Sequence, residues 1–123
     1  MIAKVVDASA IAAMVFGEAE DIQIAARIQN ADCFAPSLLP FEISNVCVKK
    51  IRRDPANQNF FFGALEKFAR FQITLREADP QAVARIAMLH GISAYDASYL
   101  WLARELGAEL VTLDQRLEKA ASP

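Results

Sequence analysis

The chain is poor in the residues from which many small sites and covalent staples are built. Of its 123 residues two are cysteine and one is histidine. Cys33 and Cys47 each lie within an apolar run, and neither has a second Cys or His at metal-ligand spacing. That excludes a zinc ribbon or finger, and both cysteines read as reduced core residues. The single histidine, His90, shares no triad-like block with Ser9 or Thr112, so a hydroxyl nucleophile activated by imidazole is not expected. Standing before Gly91, it reads as the end of a helix. Long apolar runs are missing too, none approaching the ~18 residues that a membrane-spanning helix requires. Asp7 interrupts the apolar stretch over residues 1–16, and no signal-peptide layout is visible there, so a cytoplasmic protein with no membrane association is expected. Finally, excess charge is absent. Thirteen Lys and Arg against fifteen Asp and Glu give a net charge of −2, which does not advertise a nucleic-acid binder. Any affinity for a polyanion has to come from local patches or bound cations.

What is present is a globular balance, 54% hydrophobic and 23% charged, in a chain long enough to bury one core without staples. A single domain over residues 1–123 is expected, without repeat or linker. Ile2 to Val6 reads as a buried strand and Ala8 to Phe16 as an alanine-rich helix. A second helix covers Asp21 to Gln29, where Ile22, Ile24, Ala25 and Ile28 share a face. Cys33 to Ala35 is the next strand. Ser37 is a candidate cap for a helix that tolerates Pro40 in its first turn and runs to about Arg53, where Asp54-Pro55 ends it. A helix over Gln58 to Arg70 and a strand over Phe71 to Leu75 follow. Asp79 caps a helix ending at His90-Gly91, Ser93 caps one ending at Gly107, and Leu110 to Leu113 is the fourth strand before a last short helix. Strands separated by helices require crossovers and therefore pair in parallel. The expected fold is α/β, a three-layer α/β/α sandwich with a central parallel sheet of about four strands.

Ligands of open parallel sheets bind outside the carboxyl ends of the strands. Asp7 directly follows the first strand, and Asp114 follows the fourth in Leu-Val-Thr-Leu-Asp, so both belong to that edge. Each is equally readable as an ordinary helix N-cap. Asp96 lies in the first turn of its helix on the face of Tyr99, Leu100, Ala103 and Leu106, the stripe expected to pack inward. An unpaired buried carboxylate there is costly, and a bound cation is the simplest compensation. Glu42 lies in another first turn, within an apolar stretch, with Asn45 on the same side; complementarity to the helix dipole is the plainer reading. Taken together, four acids at strand ends and helix starts favour a divalent-cation site, and hard cations such as Mg²⁺ prefer oxygen ligands.

These residues fall in four blocks: Val-Val-Asp-Ala-Ser-Ala at 5–10, Pro-Phe-Glu-Ile-Ser-Asn-Val at 40–46, His-Gly-Ile-Ser-Ala-Tyr-Asp-Ala-Ser-Tyr at 90–99 and Leu-Val-Thr-Leu-Asp-Gln-Arg-Leu at 110–117. Their order and separations resemble the PIN-domain ribonucleases, specifically the VapC toxins of bacterial type II toxin–antitoxin pairs. The resemblance implies a PIN-like fold in which Asp7, Glu42, Asp96 and Asp114 are the acidic quartet that binds Mg²⁺ or Mn²⁺ and hydrolyses phosphodiesters. It implies that Ser9, Asn45 and Thr112 support the quartet, as residues around a metal site do. It further implies an RNA substrate, a cognate antitoxin and a homodimer. Relatives commonly carry one more short edge strand after the final helix, so four strands are a departure from the pattern.

The basic end of the Glu42 helix, Lys49, Lys50, Arg52 and Arg53, reads either as a solvated C-terminus favourable to the helix dipole or as a contact to RNA or antitoxin. Phe60, Phe61 and Phe62 cannot share one helical face, so one is expected outside and two in the core. Rival classes fail on residues. A phosphorylatable receiver domain needs paired acids after the first strand, an Asp after the third and a late Lys, and Asp7-Ala8, Leu75-Arg76 and Leu113-Asp114 do not provide them. A haloacid-dehalogenase-like phosphatase needs a second Asp where Ser9 stands. A catalytically silent PIN-like adaptor remains the alternative.

Overall fold

The computed structural model describes residues 1–122. In chain order it contains β1 (Ile2–Val6), α1 (Ala8–Val15), α2 (Asp21–Ile28), β2 (Ala31–Pro36), α3 (Leu39–Arg53), α4 (Gln58–Phe68), β3 (Ile73–Arg76), α5 (Pro80–His90), α6 (Ala94–Leu106), β4 (Glu109–Val111) and α7 (Gln115–Ala121). The strands form one parallel sheet in the order β3-β2-β1-β4. Right-handed crossovers from β1 to β2 to β3 place α1–α4 on one face. The chain then reverses direction to reach β4, which puts α5 and α6 on the other. The expected three-layer architecture is therefore the one observed.

That reversal has a functional consequence. Between β1 and β4 the crossovers leave to opposite sides, and the carboxyl ends of these two strands open a crevice of the kind that holds ligands in doubly wound sheets. Val6 pairs with Val111 at this edge, so the residues just after them, Asp7 and Thr112 to Asp114, emerge side by side.

The core explains why the edge is rigid. Val5, Val6, Ile11, Ile24, Leu39, Ile43 and Val111 are fully enclosed and belong to one cluster that also holds Tyr99 and Leu100. Truncating an aliphatic residue in such a core costs about 2–5 kcal/mol. Helix boundaries follow capping chemistry. The Asp79 carboxylate accepts from the Gln81 and Ala82 amides, with Pro80 in the first turn, and α5 closes on Gly91 in the left-handed conformation. Ser93 likewise caps α6, which closes on Gly107 at φ 59°.

Several boundaries differ from expectation. Ser37 does not cap α3: Leu38 is the N-cap residue, without a side-chain bond, and the Ser37 amide donates to Arg76 O. The sheet has taken Ser37, because β2 runs on to Pro36 and pairs with Arg76. The third strand starts at Ile73, not Phe71, and α4 ends at Phe68. Of the three phenylalanines in α4 only Phe61 turns inward; Phe60 and Phe62 are both exposed, so one is inside and two are out. Cys47 is buried as expected, Cys33 only half-buried, and both are free thiols. Among the described residues no helix is long and apolar enough to cross a membrane.

Candidate active site

Asp7 is the most constrained acid of the molecule. It follows β1, caps α1 and is 4% exposed. Its Oδ1 accepts from the Ala10 amide at 3.1 Å and from Ser9 Oγ at 2.7 Å, and its Oδ2 accepts from Thr112 Oγ1 at 2.6 Å. The two hydroxyls are themselves oriented. Leu113 N–H donates to Ser9 Oγ at 3.0 Å and Asp114 N–H donates to Thr112 Oγ1 at 2.9 Å, which leaves each hydroxyl proton for the carboxylate. Ser9 and Thr112 thus join the end of β1 to the end of β4 through the Asp7 carboxylate. Burial nevertheless pushes the Asp7 carboxyl above its ordinary value; the Thr112, Ser9 and Ala10 bonds offset part of that, and the negative charge of Asp96 adds to it.

Capping alone does not account for this environment. An N-cap needs one oxygen to meet a free helix amide, and neutral Ser or Asn does that equally well. Asp7 places a full carboxylate where water is largely excluded.

Glu42, in the first turn of α3, is half-buried and accepts from Tyr99 Oη at 2.6 Å. Tyr99 comes from α6 and is 1% exposed, so this bond ties the start of α3 to α6 across the crevice. Burial raises the Glu42 carboxyl, the Tyr99 bond opposes the rise, and Asp96 and Asp7 reinforce it. The same contacts raise the Tyr99 phenol, chiefly through burial and then through its bond to Glu42, so it serves as a donor.

Asp96 is half-buried, not enclosed. It sits at the rim of the inward stripe, whose buried members are Tyr99, Leu100 and Ala103, because the first turn of α6 opens onto the crevice. The expectation of a deeply buried Asp96 is corrected, and the desolvation it was expected to suffer falls on Asp7. Its carboxyl is raised by burial and then by the Asp114 charge, and lowered by Ser93 and by Arg116. Asp114, also half-buried, caps α7 through the Arg116 and Leu117 amides at 2.9 and 3.2 Å.

The four acids are therefore electrostatic neighbours, each influencing or influenced by another. The ion pairs of the described residues lie elsewhere, at Lys4–Glu109, Arg27–Glu109 and Lys50–Glu18. No three acids among the described residues approach closely enough to form a closed metal cage. Their donor set is all oxygen, which suits a hard cation that keeps several waters and takes only a few carboxylates.

Other residues near the acids have their own settings. Asn45 is exposed and lies on the wall of a cleft beside Glu42, with no bond to an acid among the described residues. In the basic group at the end of α3, Arg52 stands ten helical residues beyond Glu42, about 15 Å along the axis. Within it, Lys50 binds Glu18 at 3.1 Å and lies over the Phe16 ring. The cation that acts on the quartet is Arg116, which donates to Gly91 O at 2.8 Å and lowers Asp96. It was not singled out from the sequence, although its place two residues after Asp114, on the first turn of α7, was a usable signal. From the sequence Tyr99 reads only as a packing residue.

Comparison with known proteins identifies the family to which the fold belongs. The PIN domain model matches residues 4–123, and the chain belongs to that family. Among its relatives is Ribonuclease VapC3 of Pyrobaculum aerophilum, 32% identical over 118 residues that cover 92% of this chain and 90% of the relative. The crystal structure of PAE2754 from the same organism superposes with a TM-score of 0.77 at 26% identity, covering 98% of this chain and 86% of that one.

Proposed function

We propose that the protein is a single-domain, metal-dependent endoribonuclease acting as the toxin of a toxin–antitoxin pair, and that Asp7, Glu42, Asp96 and Asp114 hold its Mg²⁺ or Mn²⁺. The observation that carries this reading is the unpaired state of the acids: three of the four have raised carboxyls, and the ion pairs among the described residues all lie elsewhere. Such an arrangement destabilises the metal-free fold, and it makes sense where a cation completes it. A bound cation supplies a Lewis acid for a phosphate oxygen and acidifies water for attack.

The chain's own residues have separate tasks. Ser9 and Thr112 hold the Asp7 carboxylate through both of its oxygens. Tyr99 positions Glu42 and keeps it ionised at lower pH than burial alone allows. Arg116 lies where it can meet a phosphate of the substrate beside Asp96. The relative named Ribonuclease VapC3 supports RNA as the substrate, and the motif resemblance implies an antitoxin that blocks the site and a homodimer. Lys49, Arg52 and Arg53 remain candidates for contact with such a partner or with distal RNA.

The test is calorimetry with Mn²⁺ together with an RNA cleavage assay. The wild type binds the ion and cleaves only in its presence. Absence of ion binding removes the quartet's proposed role; ion binding without cleavage favours the silent adaptor. Co-expression with the product of the reading frame immediately upstream tests the toxin assignment through relief of growth arrest.

A further inference from the structure

Beside the acids lies a cleft that the chemistry above does not use. Its volume is about 430 Å³ and it is lined by Leu38, Phe41, Glu42, Asn45 and Tyr95. Glu42 forms part of its wall, so it opens directly from the acidic edge. Phe41 and Tyr95 are 77% and 67% exposed. The aromatic pairs of the described residues are made by other rings, Phe16–Phe61, Phe60–Phe61 and Phe68–Phe71. Each of the two exposed rings stands one residue before a quartet acid, in the first turn of its own helix: Phe41 before Glu42 in α3, Tyr95 before Asp96 in α6. Successive helical side chains diverge by about 100°, so acids turned to the crevice put their preceding rings on its flank. The Tyr99–Glu42 bond joins the same two helices.

We propose that this cleft is a nucleobase subsite, in which Phe41 and Tyr95 stack an unpaired base of single-stranded RNA and the Asn45 amide meets its polar edge. The inference rests on the nuclease reading. Two considerations select the occupant. An acidic edge on a protein of net charge −2 repels phosphates, so substrate affinity needs a source other than bulk charge, and base–aromatic stacking is one. An exposed Asn has both a donor and an acceptor for a base edge, which an apolar peptide side chain would leave unused. A base already stacked in a duplex cannot enter, so the cleft selects single-stranded RNA.

The test uses the full chain and short single-stranded RNAs carrying 2-aminopurine at successive positions. In chelator, binding to the wild type quenches the probe at one or two positions. Phe41→Ala and Tyr95→Ala each abolish that quenching and weaken binding about tenfold, as expected for loss of one stacking partner. In Mg²⁺ they raise KM more than they lower kcat. Tyr95→Phe behaves as the wild type. Both rings are exposed, so the variants keep the wild-type melting temperature. An abasic nucleotide at the quenched position removes the difference between wild type and Phe41→Ala. The proposal is overturned if the wild type cleaves RNA while the Ala variants match it in quenching, binding and KM; the nuclease reading then stands. It is also overturned if Phe41→Ala leaves RNA binding intact and instead weakens self-association, which assigns the cleft to a second copy. If the wild type neither binds nor cleaves RNA, the nuclease reading falls and takes the subsite with it.

Discussion

The two ends of the sheet treat the same functional group in opposite ways. At the amino end Glu109 receives a 2.5 Å bond from Arg27 and has Lys4 within 3.8 Å, and its carboxyl is lowered, first by the Arg27 bond. At the carboxyl end Asp7, Glu42 and Asp96 act on one another through their charges, and all three carboxyls are raised, first by burial. One end has cations for its acid; the other concentrates acids and leaves them without ion pairs. A fold selected for stability alone would pair both ends alike. The asymmetry is the basis on which we propose an external cation at the carboxyl end.

The largest expected effect comes from removing the charge at the centre of that end. Asp7→Asn should reduce metal-dependent RNA cleavage by more than the ~10–100-fold typical of losing a residue that only supports a metal ligand. Its melting temperature in chelator should stay level, since relief of the buried charge is offset by hydroxyl donors of Ser9 and Thr112 that lose their anion. Cleavage assays and thermal unfolding on the same preparation check both.

A smaller effect separates positioning from ligation. Tyr99→Phe removes the donor to Glu42, at a cost of about 1–2 kcal/mol in stability. Because that bond lowers the Glu42 carboxyl, its loss raises it, and the acid limb of the pH–rate profile should move to higher pH. A fall in rate with an unmoved limb would leave Tyr99 a packing residue.

The comparison also has a sign in pH. A carboxyl raised in the native state holds its proton to higher pH than in the unfolded chain, where the ordinary values are 3.8 for Asp and 4.5 for Glu. The stability it contributes is complete below those values and is lost as pH rises through the native ones. In chelator the contribution of Asp7, Glu42 and Asp96 should therefore decline from pH 4 toward neutrality. Mg²⁺ at 100 times its Kd should add back about 2.7 kcal/mol. Unfolding curves across pH, with and without the ion, measure this; a neutral-pH stability unaffected by Glu42→Gln, Asp96→Asn and Mg²⁺ alike would contradict it.

The smallest effect belongs to the paired end. Glu109 is lowered, so its contribution is present above its unfolded value and lost as pH falls through the native one. It is half exposed, and Arg27→Ala should cost at most about 1 kcal/mol. RNA cleavage should not change. A large loss of activity from Arg27→Ala would show that the two ends are not independent.

Much of this was legible because local chemistry marks element ends. Asp79-Pro80, Ser93, Gly91 and Gly107 announce the limits of α5 and α6, and Asp7, directly after β1, and Asp114, shortly after β4 ends at Val111, announce the carboxyl edge of the sheet. What was not legible depends on residues far apart in the chain. Asp7 is enclosed by Thr112, 105 positions away, and Glu42 meets Tyr99 across 57 positions. No periodicity reports such meetings, so burial was assigned to Asp96 when Asp7 bears it. Ser37 looked like a cap because capping is local, and the sheet overrode it through pairing with a strand about forty residues on.

Asp96 offers the most direct test of the central claim that the quartet is kept for chemistry and not for folding. It is half-buried and accepts little that holds the fold, so neutralising it isolates the charge. Asp96→Asn, assayed for Mg²⁺-dependent RNA cleavage and for melting temperature in chelator, should lose cleavage while melting at the wild-type temperature or above it. A variant that cleaves RNA as the wild type does, or one that unfolds, would contradict the account.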